Sequence, residues 1–96
     1  MEINVDELKK NLKKFKILDV RESDEFFEHI KGAENKPLGA LIRDINKGVY
    51  NLPKDKEIIC YCSAGFRGNI AADFLRSKEY KVKNLEGGFK AWKEGK

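Results

Sequence analysis

The sequence predicts an α/β domain with a mainly parallel sheet and helices on both faces. Three observations predict it. Short apolar runs at Phe15–Val20, Glu57–Tyr61 and Lys81–Leu85 alternate with amphipathic segments, the pattern of strands joined by helical crossovers. The 96 residues suffice for one core and are too few for two. A hydrophobic fraction of 41% supports that core, and apolar runs recur too often for a disordered chain. Residues 1–96 are therefore read as a single domain.

Residues 3–12 carry a helix signal. Asn4 is a capping residue, Glu7 three positions on completes a capping box, and Ile3 and Leu8 form a hydrophobic staple around it. Val5, Leu8 and Leu12 give the apolar stripe. The lysines at 9, 10, 13 and 14 sit where the helix dipole favours cations, on a solvated face. Phe15–Val20 is the first strand, with Asp19 and Arg21 at its end. Ser23 then caps a short helix whose buried side is Phe26, Phe27 and Ile30, ended by Gly32. His29, the sole histidine, is read as a structural or surface residue.

Ala33–Leu38 is extended and Gly39–Asn46 helical, broken at Lys47-Gly48. A turn at Leu52–Lys56 leads into the buried strand Glu57–Tyr61. Gly68–Lys78 is a helix with Ile70, Ala71, Phe74 and Leu75 inward and Arg76, Lys78 and Glu79 toward water. Lys81–Leu85 is the last strand. Phe89–Glu94 is a terminal helix packing through Phe89 and Trp92.

Lysines give the net charge of +4, which suits an anionic substrate or an acidic partner. They are spread along the chain and the aromatics lie in apolar patterns, so nucleic acid is not expected as a partner. Cys60 and Cys62 are the only cysteines. Along a strand their Cα atoms lie about 6.6 Å apart on one face, so a disulfide between them is not expected. With one histidine, neither is a metal site. No signal peptide or membrane-length apolar run is present, and the expected setting is a reducing cytoplasm, with the chain a monomer.

The chemistry centres on Cys62-Ser63-Ala64-Gly65-Phe66-Arg67. A cysteine at a strand end, a glycine-containing loop and a helix start bring unpaired backbone N–H groups to one place. Those donors and the Arg67 charge favour the nucleophilic thiolate. Cys60, inside the strand, is expected to be a buried, inert small hydrophobe.

Five patches, in order, resemble single-domain rhodaneses: Leu18–Glu22; Glu28–Asn35; Leu52–Asp55; Cys62–Arg67; and Leu85–Trp92. They span nearly the whole chain. The resemblance implies a three-layer α/β/α sandwich around a central, mainly parallel five-stranded sheet. It implies a sulfurtransferase that moves sulfane sulfur from a small anionic donor such as thiosulfate, or from a persulfide, through a Cys62 persulfide to cyanide, a thiol or a protein acceptor. The loop from Ser63 through Ala64, Gly65, Phe66 and Arg67 to Gly68 would cradle the transferred sulfur. Asp19 and Arg21 would belong to the scaffold. Neither cofactor nor metal is required, since sulfur moves between soft nucleophiles.

Two departures qualify the substrate. Ser63 stands where many members have a basic residue, and Gly68 where many have serine. The missing charge predicts weak docking of thiosulfate, with the Ser63 hydroxyl left as a hydrogen-bond donor. Phe66 is expected either as an apolar lip or packed on the protein's own surface. Cysteine-dependent phosphatases, the rival chemistry, have five residues between cysteine and arginine; here there are four. The other alternative, a non-catalytic binding module, needs neither the cysteine nor the arginine.

Overall fold

Five strands, all parallel, form the sheet: β1 (Glu2–Ile3), β2 (Lys16–Asp19), β3 (Glu34–Asn35), β4 (Ile58–Tyr61) and β5 (Val82–Leu85), in the order β1-β5-β4-β2-β3. They belong to a computed structural model that describes residues 1–95. The helices are α1 (Val5–Lys10), α2 (Leu38–Asn46), α3 (Phe66–Ser77) and α4 (Gly88–Glu94). No helix among the described residues is long and apolar enough to cross a membrane.

Central position explains the composition of β4. Its four residues are all buried, because a parallel strand covered on both faces reads as continuous apolar sequence. Alternate side chains enter different cores. Ile58 and Cys60 join Leu18, Leu41, Ala71 and Leu75 on the α2/α3 side. Ile59 and Tyr61 join Val5, Leu8, Ile17 and Phe89 on the α1/α4 side. The result is the three-layer α/β/α sandwich with a five-stranded parallel sheet.

The amino-terminal signal holds in detail. Glu7 N–H donates to Asn4 Oδ1 at 2.8 Å and Asn4 N–H to Glu7 Oε1 at 3.3 Å. Ile3 and Leu8 are both buried in the α1/α4 core. The helix is shorter than the predicted 3–12. Asn11 donates its backbone N–H to the Leu8 carbonyl and its side chain to the Glu7 carbonyl, and a 3-10 turn at Leu12–Lys14 follows.

The helix expected after Ser23 is instead a single 3-10 turn, Ser23–Glu25. Tertiary bonds take its hydrogen-bonding groups. Arg21 Nη2 donates to the Glu28 carbonyl at 2.7 Å, and Ile30 N–H donates to the Tyr61 hydroxyl at 3.1 Å. Ile30 is buried as expected, but Phe27 is 85% exposed. Phe26 is half-buried and stacks on His29, which lies at the surface.

The buried stripe of α3 is Gly68, Ala71, Ala72 and Leu75, so Ile70 points outward at 52% exposure. The phase is set at the helix start, where Gly68 must face the sheet. Arg76 is half-buried rather than in water and donates to the Val82 carbonyl at 3.1 Å.

Candidate functional site

Cys62 follows β4 directly, at the carboxyl ends of the strands, where parallel α/β sheets place their sites. The next three residues turn the chain into α3, with Gly65 at φ +116 as the cap, a conformation a side chain resists. The turn brings two backbone donors onto the sulfur: Gly65 N–H lies 3.1 Å and Gly68 N–H 3.3 Å from Cys62 Sγ. Preorganised N–H groups at the start of a twelve-residue helix stabilise negative charge on that atom. Cys62 is only 2% exposed, so a reactant has to present a terminal atom to it.

Two neighbours hold the loop in place. The amino terminus of α4 caps it from above: Phe89 N–H donates to the Cys62 carbonyl at 2.7 Å and Lys90 N–H to the Ser63 carbonyl at 3.0 Å. Gly88 makes that approach possible. It has φ +63, and a Cβ there would overlap the Cys62 carbonyl and lie 2.7 Å from that of Ser63.

Asn84 supports the loop from β5. It is fully buried, and its Nδ2 donates to Asn69 Oδ1 at 3.1 Å and to the Gly65 carbonyl at 3.4 Å. Its Oδ1 has no hydrogen-bond partner among the described residues and occupies the space where a Gly68 side chain would begin. That contact explains glycine at 68. Gly68→Ala should cost about 1–3 kcal/mol through overpacking. A double-mutant cycle with Asn84→Ala, read by urea denaturation, should show that much of the cost is coupling between the two positions; an additive cycle would contradict it.

The remaining loop side chains are distributed as follows. Ala64 and Phe66 are exposed, and at 82% exposure Phe66 does not pack on the protein's own surface. Arg67 and Ser63 are half-buried and meet a third group, Glu25. Arg67 Nη1 donates to Glu25 Oε1 at 3.1 Å, Ser63 Oγ to Glu25 Oε2 at 3.1 Å, and Arg67 Nη2 to Ser63 Oγ at 3.3 Å. The hydrogen bond from Arg67 holds the Glu25 carboxyl below its usual pKa, and the same bond raises that of Arg67. Sequence reasoning did not single out Glu25. Its partners lie 38 and 42 positions away, beyond any local spacing signal.

Asp19 and Arg21 form a buried pair beside the site, with Arg21 Nη2 2.7 Å from Asp19 Oδ2. Burial opposes the Arg21 charge, but the hydrogen bond and field of Asp19 outweigh it and raise the guanidinium pKa. The guanidinium lies 4.6 Å from the centre of the Phe89 ring, so the pair braces α4. Cys60 is free and fully buried; desolvation pushes its thiol up to about 12. No group of three or more His, Cys, Asp or Glu side chains among the described residues is placed to hold a metal ion.

Comparison with known proteins bears on this arrangement. The family model described as "Rhodanese-like domain" matches residues 4–95. The crystal structure of a rhodanese-related protein from Thermoplasma volcanium superposes with a TM-score of 0.88 at 34% identity, covering 98% of this chain and 91% of that one. An Allochromatium vinosum protein named "Sulfurtransferase" is 40% identical over 42 residues, 43% of this chain and 39% of that protein. A Porphyra purpurea protein named "Probable molybdopterin-synthase adenylyltransferase" is 41% identical over 90 residues. That match takes in 90% of this chain but only 22% of the Porphyra protein.

Proposed function

Since the chain belongs to the rhodanese-like domain family, which includes relatives named as sulfurtransferases, we propose that it carries sulfane sulfur as a persulfide on Cys62. The observation that carries the proposal is the convergence of the Gly65 and Gly68 N–H groups on Cys62 Sγ. In the first step the Cys62 thiolate attacks the outer sulfur of thiosulfate or a persulfide. A new S–S bond forms as the donor's S–S bond breaks, and sulfite or a thiolate leaves with the bonding pair. In the second step cyanide, a thiol or a protein acceptor attacks the outer persulfide sulfur, and Cys62 departs as thiolate. Both steps place negative charge on sulfur inside the loop, where the two N–H donors are already oriented. Ser63, Ala64 and Phe66 form the wall a substrate meets. A reducing cytoplasm would keep Cys62 available as a thiol.

The four-residue spacing from Cys62 to Arg67 supports sulfur over phosphate as the transferred group. The test is intact mass after incubation with thiosulfate and, separately, with an organic persulfide, followed by cyanide and a thiocyanate assay. Gain of one sulfur mapped to Cys62 and released as thiocyanate is expected. No gain from either donor would replace this reading with a non-catalytic binding module.

A further inference from the structure

The groups best placed to receive an anion at the Cys62 loop are already bonded to a carboxylate. Arg67 and Ser63 close a ring with Glu25, so an anionic donor meets an ion pair in which Glu25 has cancelled the Arg67 charge. Beside this ring opens a cleft of about 490 Å³, with Phe27 and Phe89 among its lining residues. Its lining holds four carboxylates against Lys90, Lys93 and Arg21; Arg21 is paired with Asp19, Glu25 with Arg67 and Glu28 with Lys93, which leaves Asp24 and Glu94 against Lys90. The local balance is thus negative on a chain whose net charge is +4. The volume lies within the range of sites for organic molecules, about 300–1,000 Å³, and far exceeds what a thiosulfate ion fills.

We propose that Glu25 sets the substrate class of the Cys62 site: it turns away small dianions such as thiosulfate and admits organic thiols and persulfides that are neutral or carry an ammonium group, with the organic body in the cleft beside Phe27 and Phe89. The sulfur chemistry of this inference rests on the sulfurtransferase reading; the charge selection belongs to the loop itself. An organic persulfide R–S–SH gives its outer sulfur to the Cys62 thiolate. The new Cys62 S–S bond forms, the donor S–S bond breaks, R–S⁻ leaves with the bonding pair, and the proton stays on the transferred sulfur. Glu25 acts by cancelling the Arg67 charge at the mouth and by occupying its N–H donors. Both effects oppose a dianion more than a neutral reactant.

The test separates charge selection from turnover. Cys62 alkylation rates are measured with iodoacetate, iodoacetamide and 2-bromoethylamine, an anion, a neutral molecule and a cation, and the adduct is located by peptide mass. Wild type, Glu25→Gln and Glu25→Asp are compared, so the intrinsic reactivity of each reagent cancels in the variant-to-wild-type ratio. Glu25→Gln should raise the iodoacetate rate about tenfold relative to iodoacetamide and lower the relative 2-bromoethylamine rate severalfold. Glu25→Asp keeps the charge and should keep the wild-type order. With thiosulfate, Glu25→Gln should lower KM about tenfold. Equal rate changes for all three reagents would reduce Glu25 to a loop-packing residue and overturn the proposal, as would unchanged ratios. Absence of sulfur loading from every donor, with the alkylation ratios as expected, would remove the sulfurtransferase reading and leave the charge selection standing.

Discussion

Cys62→Ser is expected to abolish sulfur loading and to lower thiosulfate:cyanide turnover by at least about a thousandfold. A hydroxyl at this position keeps the shape of the thiol but cannot carry sulfane sulfur as a stable persulfide. The matched control is Cys60→Ser. Cys60 lies two residues away, fully buried on the α2/α3 face. Burial pushes its thiol up to about 12, so Cys60 stays a thiol rather than the reactive thiolate. Cys60→Ser should therefore load sulfur as wild type does, while losing about 1–3 kcal/mol because a hydroxyl enters an apolar core. Intact mass after persulfide treatment, with thermal melting of both variants, reads the two effects separately. Equal loading of both variants would move the sulfur carrier away from Cys62.

Asp19→Ala should be the most destabilising substitution at the site's margin, at about 3–5 kcal/mol. Asp19 is fully buried and accepts hydrogen bonds from the Arg21 side chain and backbone. Its removal leaves the guanidinium buried beside Phe89 and Tyr61 without a counter-charge. For a domain of this length that corresponds to a fall in Tm of more than about 10 °C. Asp19→Asn, which keeps an acceptor in the same place, should lose less. The damage should reach the site, because Arg21 also holds the Glu28 carbonyl and so the segment that carries Glu25. A Tm within about 2 °C of wild type for Asp19→Ala would show that the pair is a passive neighbour of the core.

The central strands were legible because burial on two faces writes itself into sequence as an apolar run, as at Ile58–Tyr61. The Asn4–Glu7 box was legible because both partners lie within one helical turn. The two-residue strand β1 was not, since it is too short to show a period; it exists because Ile3 and Glu2 pair with Leu85 and Asn84 at the far end of the chain. The helix expected after Ser23 failed for a related reason. Its aromatic spacing fits a helix, but Arg21 and Tyr61 hold its backbone in another path.

The sequence by itself determined the α/β class, the position of Cys62 at a strand end, and the glycines that let a backbone loop close around its sulfur. These follow from periodicity, capping and turn chemistry, which act between residues a few positions apart. Tertiary structure alone decided the order of the strands, the outward turn of Ile70, the seat of Asn84 beneath Gly68, and the Glu25–Ser63–Arg67 ring. Each of these depends on groups brought together from distant parts of the chain, 42 residues apart for Glu25 and Arg67. Such a contact exists only once the sheet has fixed where both segments end, and no local pattern in either segment encodes it.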